Sequence, residues 1–488
     1  MKAVRIALAA VATACVGMLA LFAVNLALTL VPTDHYQNVV DEAVRSGTLA
    51  AQHHQLFGPR KPIYRYGYND CLMLGMSMMP RESRLKAAVS PRMAVPADAQ
   101  SPDQSIKAPL PPGCGFITAT LGALARGEVD ERRPEPDHYH RYIHGDATVV
   151  ALLLAVMSVA AASLTMLGLC YVVLLAILLS ALGRLRDADP AERARALAFV
   201  VIAAVLMTCY GVAAFDHAYS FGPTDAVIFG FILIGFWRPL GQMSERAFVV
   251  LMAGFGTLIA ILEFLTGGIP MGLAVLIALV ALGKAIDRRA LLRRLTAGVA
   301  AFAIAGVTCV VIKLVAVLLV WGTNELGTFV TAAGVHTVGA VTSRLSPEAL
   351  TTLSSYGIDP QWIDTNHVTR IVFAGMMLTY SAFLIGWGSH IIGAAIVLLP
   401  APALVGFAYL AVRRRKVADW PADRLALIAA GWVPVAWYVA LPNHTIFHSS
   451  FMVRPLAITL ALAIIVGPLF DRLAAWTTML QAKRFRQS

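Results

Sequence analysis

The stretch IALAAVATACVGMLALFAVNLALTLV, Ile6–Val31, follows the basic pair Lys2 and Arg5 and carries no charged residue. The apolar core of a signal peptide runs roughly 7–15 residues, whereas crossing the hydrocarbon of a bilayer takes roughly 20. The run therefore reads as an uncleaved first span. No clear small-x-small cleavage site interrupts it, and Cys15, preceded by Ala-Thr-Ala, is a poor lipoprotein match because the apolar run continues well beyond it. Comparable runs recur along the 488 residues, of which 58% are hydrophobic and 14% charged, with a mean hydropathy of +0.71. Such a balance excludes an ordinary soluble domain and predicts an all-α integral membrane protein.

The formal net charge of +11 does not point to nucleic acid, because the cations form no single stripe. They cluster at the ends of apolar runs, in Lys2–Arg5, Arg184–Arg195, Lys284–Arg294, Arg413–Lys416 and Lys483–Arg486. This is the positive-inside pattern, which assigns those loops to the cytoplasm. The segment 32–146 then becomes a long first extracytoplasmic loop, with proline-rich stretches at Pro80–Pro112 and Pro134–Pro136. The apolar block Ala147–Leu182 exceeds one crossing, so its first part is expected in the interface or re-entering.

Further spans are read near 197–215, 223–242, 247–266, 269–283 and 295–322, followed by a second outer loop at 323–370. Parity makes 390–412 a crossing and leaves 371–387 as an interfacial helix, before a last pair near 423–441 and 456–476. The expectation is one polytopic domain over 1–488, with about 10 spans and both termini inside. Cys15, Cys170, Cys209 and Cys309 fall in spans, whereas Cys71 and Cys114 fall in the first outer loop. Those two are a disulfide candidate in an oxidising compartment; two separate thiols are the other reading.

With this topology, the ionisable residues gather at the outer ends of spans. They are Asp70 in Tyr66-Gly-Tyr-Asn-Asp70; His138, His140, Arg141 and His144, with Asp146 next; Asp216, His217 and Asp225 around one turn; Glu263 in Glu263-Phe-Leu-Thr-Gly-Gly-Ile-Pro270; and Asn443-His-Thr-Ile-Phe-His448 leading to Arg454. Charges at membrane depth need a cavity or a partner, so Asp216, Glu263 and Arg454 imply either a wet pocket or helix-joining ion pairs. His444 and His448 share a face if helical, and with Arg454 they suit a phosphate or pyrophosphate. Asp70 is a candidate general base. The three histidines of His138-x-His140-x-x-x-His144 admit a divalent metal, without matching a fixed zinc spacing. No Walker lysine loop or dinucleotide fingerprint is present, which disfavours an ATP-driven mechanism.

These motifs, in order along most of the chain, resemble a poorly characterised bacterial multi-span family of the GT-C class of membrane glycosyltransferases. The carriers are Asn69-Asp70, Tyr139-His-Arg-Tyr-Ile-His-Gly145, Phe215-Asp216, Glu263-Phe-Leu-Thr266 and Asn443–His448 with Phe451 and Arg454. The resemblance implies inverting transfer of a sugar from a polyprenyl-phosphate-linked donor to a glycan, lipid or protein acceptor. The site would face the periplasm or cell exterior from the bacterial inner membrane, among membrane lipids and with no established cofactor. It implies Asp70 as catalytic base and Arg454, His444, His448, Arg141 and His144 at the donor phosphate. Asp216, Glu263, Asn443, Asn69 and Tyr142 would bind sugar or acceptor.

GT-C enzymes often carry paired acidic residues in the first outer loop. Here Asp70 is flanked by Asn69 and Cys71, which leaves Asp216 and Glu263 as alternatives for its role. A transporter or flippase of a lipid-linked or anionic substrate is the competing class. Its sequence support is Lys313 within a span and the Gly267–Pro270 break. A membrane scaffold would explain the hydrophobic bulk but not the outer-face motifs.

Overall fold

The computed structural model describes residues 2–49, 68–79, 81, 83–92, 114, 117, 121, 143–186, 189–212, 219–263, 267–283, 287–323, 325, 327, 354, 359–385, 422–447, 452–467, 470, 472–475 and 479. Among these residues the structure is helical, with no β-strand. The first half holds α1 (Lys2–Leu28), α2 (Thr33–Arg45), α3 (Tyr68–Met78), α4 (Arg84–Val89), α5 (Gly145–Leu154), α6 (Val159–Arg184), α7 (Pro190–Val212) and α8 (Gly222–Trp237). The second half holds α9 (Glu245–Leu262), α10 (Gly268–Ala281), α11 (Arg288–Trp321), α12 (Pro360–Thr365), α13 (His367–Ile385), α14 (Ala422–Ala440), α15 (Pro442–Phe447) and α16 (Pro455–Val466).

Four of these are long and apolar enough to cross a membrane: Ala3–Leu28 of α1, α6, α9 and α11. Shorter apolar helices, including α5, α8, α10 and α16, pack among them. On α11 the exposed large residues Val307, Val311, Val315 and Leu319 recur every fourth position. That spacing is one helix face, and an apolar face left uncovered on a long helix is what lipid requires. The opposite face carries buried Gly298, Ala301, Phe302, Ala305 and Cys309. The main core joins α1, α9 and α11 to α8, α10, α14 and α16, with Phe231 stacked on Phe255 at 3.9 Å.

The Ala147–Leu182 block divides in two. Its first part is the ten-residue α5, too short to span. The chain then bends through Ala155–Met157, and Ser158 caps α6 by accepting the Ala161 N–H at 3.3 Å. Conserving the expected charge pattern, Arg184, Arg195 and Arg294 meet at one end of the bundle. Arg195 donates to the carbonyls of Gly235 and Phe236 at 2.9 and 2.7 Å, closing the C-terminus of α8. Arg294 donates to the Leu240 carbonyl at 3.0 Å.

The opposite end, here the loop side, has a core of its own. Cys71, Leu74 and Met78 of α3 pack with Tyr36 and Val40 of α2, with Ile117, with Val150 of α5, Val159 of α6 and Tyr219 in the turn before α8. Cys71 and Cys114 form a disulfide within it. Lys313 of α11 ties α4 to the bundle by donating to Ser90 Oγ at 2.7 Å and to the Val89 carbonyl. The expected span 390–412 lies outside the described residues, as does most of the 323–370 loop.

Candidate functional site

The loop side gathers polar groups from five separated stretches. Asp70, in the first turn of α3 and fully buried, accepts three hydrogen bonds at Oδ1. They come from Tyr219 N at 3.2 Å, Ser220 N at 2.8 Å and Ser220 Oγ at 2.9 Å. Asp70 thereby holds the turn that starts α8. Tyr219 Oη adds a bond to the Val159 carbonyl, so the same turn is anchored to the head of α6.

Phe221, next in that turn, lies under the guanidinium of Arg454 at 4.2 Å, a cation–π contact. Arg454 occupies the position just before α16 and is 1% exposed. Its Nη1 donates to Asp225 Oδ2 at 3.3 Å and its Nη2 to Glu263 Oε2. Glu263 ends α9, and its other oxygen, Oε1, accepts the Gly268 N–H at 3.0 Å, holding the start of α10. Gly267 between them sits at φ +119°, a left-handed conformation that side-chain-bearing residues rarely adopt. The Gly267–Pro270 break is thus a helix-to-helix corner built around Glu263.

His144 also takes a left-handed conformation, φ 61°, which histidine tolerates better than most residues. Gly145 follows where α5 meets the end of α9. A β-carbon there would stand 2.8 Å from the Ile261 carbonyl oxygen and would collide with the Ile261 side chain. This bend and close approach bring Asp146 beside Glu263 and Asp70. Burial pushes the Asp146 carboxyl up to about 8; the hydrogen bond from Ala147 N, 2.9 Å from Oδ1, opposes the rise, and the charges of Glu263 and Asp70 add to it.

The same turn of α5 borders a cavity of about 80 Å³ between α1, α3, α4 and α5, lined on this side by His144, Ala147, Thr148 and Ala151. Thr148 Oγ1 donates to Asn25 Oδ1 at 2.6 Å, and Asn25 Nδ2 donates to the Ala88 carbonyl at 3.0 Å.

No family model matches the chain, and neither a curated protein nor a solved structure matches it. The chemistry must be read from these residues.

The structure brings Asp70, Glu263, Arg454 and His144 to the same end of the bundle. Three of them have protein partners that the sequence did not show. Arg454, expected at a phosphate, already meets two carboxylates; Glu263, expected at a sugar, has both oxygens engaged; Asp70, expected as base, has one oxygen occupied by three donors. Asn443 and His444 are buried on α15, which packs on α13. Asp216, Arg141, Tyr142, His448, His138 and His140 lie outside the described residues, and of Asn69 only the backbone is described. Among the described residues no group of three histidine, cysteine or acidic side chains is arranged for a metal.

Sequence reading named Asp225 and Asp146 among the outer-face ionisable residues but assigned neither a role, and so missed Asp225 as the partner of Arg454. Asp146 carried a signal: an acidic residue directly after His-Gly at the head of an apolar helix. Asn25, an amide near the end of an otherwise apolar run, carried another. Lys313, read as support for transport, is a tether to α4.

Proposed function

We propose that the chain is a GT-C-like inverting glycosyltransferase of the bacterial cytoplasmic membrane. It moves a sugar from a polyprenyl-phosphate-linked donor to a glycan, lipid or protein acceptor at the loop side, which faces the periplasm or cell exterior. The chain in this reading has a topology of about 10 spans with both termini in the cytoplasm, to which four helices long and apolar enough to cross contribute among the described residues. What supports the reading most is the placement of Asp146 at the loop side, on the helical turn that also borders a cavity, where burial above all keeps its proton affinity high.

A general base works best when its pKa lies near the operating pH, and Asp146 meets that condition. In the proposed reaction Asp146 takes the proton of the acceptor hydroxyl as its oxygen attacks the anomeric carbon. The bond from that carbon to the phosphate oxygen breaks, polyprenyl phosphate leaves with the electron pair, and configuration inverts. Asp70 acts as a positioning residue by fixing the Tyr219–Phe221 turn, and the Arg454 ion pairs fix the ends of α9 and α16 beneath the acceptor. No described feature favours transport in the same way, because both of its sequence supports serve packing.

The test is transfer of radiolabel by the purified protein in liposomes, from a panel of polyprenyl-phosphate sugars to membrane acceptors. Asp146→Asn, nearly isosteric, should lower transfer by at least about a hundredfold while the protein stays folded. Full transfer by that variant, or no donor consumed by the wild type, would sink the proposal.

A further inference from the structure

The cavity between α1 and the loop-side helices has a charge character that the reaction scheme does not use. Arg81 and Arg92 both line it, together with His144 and the polar side chains of Asn25, Thr29 and Thr148. No carboxylate is among the described residues that line it. Arg81 is held in place by donating from Nη1 to the carbonyls of Thr29 and Val31, at 3.0 and 2.7 Å, and by lying 5.7 Å from the centre of the Tyr36 ring. It makes no ion pair among the described residues. A guanidinium fixed by carbonyls and an aromatic ring keeps its positive charge available to an anion.

The volume, about 80 Å³, is several times the roughly 10–15 Å³ that one water requires, and suits a compact group of a few heavy atoms. Close in sequence to the lining residues Asn25, Thr29 and Ala87, three leucines are exposed: Leu26 on α1, Leu30 just beyond it and Leu85 on α4, at 46%, 65% and 60%. A pocket for a purely aqueous anion would not need such a border. An amphiphile with a small anionic head and a hydrocarbon tail would.

We propose that this cavity seats the phosphate of a membrane lipid, paired with Arg81 and Arg92, while its hydrocarbon lies along Leu26, Leu30 and Leu85. It deepens the transferase reading, resting on that reading only for the lipid being a polyprenyl phosphate; phosphate recognition itself does not depend on it. The donor phosphate then belongs on the α1 side of α5, with Asp146 on the neighbouring face of the same helical turn.

The experiment is saturation binding of ³²P-labelled polyprenyl phosphate to the full-length protein in phosphatidylcholine nanodiscs. Arg92→Gln should weaken binding at least about tenfold, as loss of one charge-assisted contact does, and Arg92→Lys should retain part of it. Ala151→Phe, which fills the cavity without touching a charge, should weaken it too. Arg81→Gln is informative only where resistance of Cys71 and Cys114 to alkylation shows the loop-side layer intact. Wild-type binding by both Arg92→Gln and Ala151→Phe overturns the proposal. Displacement by millimolar inorganic phosphate would make the ligand the free ion and overturn the lipid assignment, whereas resistance to it supports the lipid headgroup. Binding lost in the variants, in a protein that transfers no sugar, would keep this site and remove only the transferase.

Discussion

Arg454 and Glu263 are joined by an ion pair across 191 residues of chain, with side chains only 1% and 3% exposed. Removing one member of a buried pair leaves the other charge desolvated without its partner, at a cost of about 3–5 kcal/mol. Glu263→Gln and Arg454→Met are therefore expected to lower the thermal unfolding midpoint in detergent strongly. The double variant Glu263→Gln/Arg454→Met should lose less than the sum of the two. Additive losses in that cycle would mean that the pair does not hold α9 to α16.

Asp146 sets a pH dependence whose sign follows from its raised pKa. The folded protein binds this proton more tightly than the unfolded chain, so the contribution to stability is intact below about pH 4 and declines as pH rises towards about 8. Asp146→Asn should flatten the unfolding midpoint across that window. Transfer by the wild type should climb over the upper part of the same window, because only the ionised carboxylate accepts a proton. A rate that falls there would assign the base elsewhere.

Asp70 distinguishes positioning from catalysis by a single atom. Asparagine keeps one carbonyl oxygen, sufficient to accept the bonds that Oδ1 now receives from Tyr219 N, Ser220 N and Ser220 Oγ. Asp70→Asn is thus expected to fold and to keep transfer within about tenfold, whereas Asp70→Leu leaves buried N–H groups without an acceptor and costs about 1–3 kcal/mol each. Transfer abolished in a well-folded Asp70→Asn protein would return the base to Asp70.

The Cys71–Cys114 disulfide closes a segment of 43 residues of sequence separation, for which chain entropy alone gives roughly 4 kcal/mol. Cys71→Ser should expose the loop-side layer to limited proteolysis while α1, α6, α9 and α11 stay protected. Thiol labelling of the unreduced, denatured wild type should modify Cys15, Cys170, Cys209 and Cys309 only.

The helices were legible because lipid imposes a simple rule on sequence: long apolar runs bounded by arginine. Ile6–Val31 and 295–322 follow it, and α1 and α11 lie there. The division of Ala147–Leu182 was legible from length. Pairing was not. Arg454 read alone suits a phosphate, and only the fold supplies Asp225 and Glu263 from other helices. Asp70 likewise read as reactive because a sequence does not reveal that the backbone N–H groups of Tyr219 and Ser220 converge on it. Asp146 was passed over because its character depends on Gly145 approaching Ile261, a contact between distant segments.

The tether from Lys313 to Val89 and Ser90 has a consequence for the order of assembly. Lys313 is made 224 residues after Val89, roughly 10–45 s later at ordinary synthesis rates. Cys71 and Cys114 both precede Ser220 as well as Lys313, so their bond can close before either anchoring contact exists. The loop-side layer is expected to emerge as a covalently closed but undocked unit. It would then wait for α8 and α11, so the last residues needed to complete the N-terminal third of the molecule are among those synthesised well past its middle.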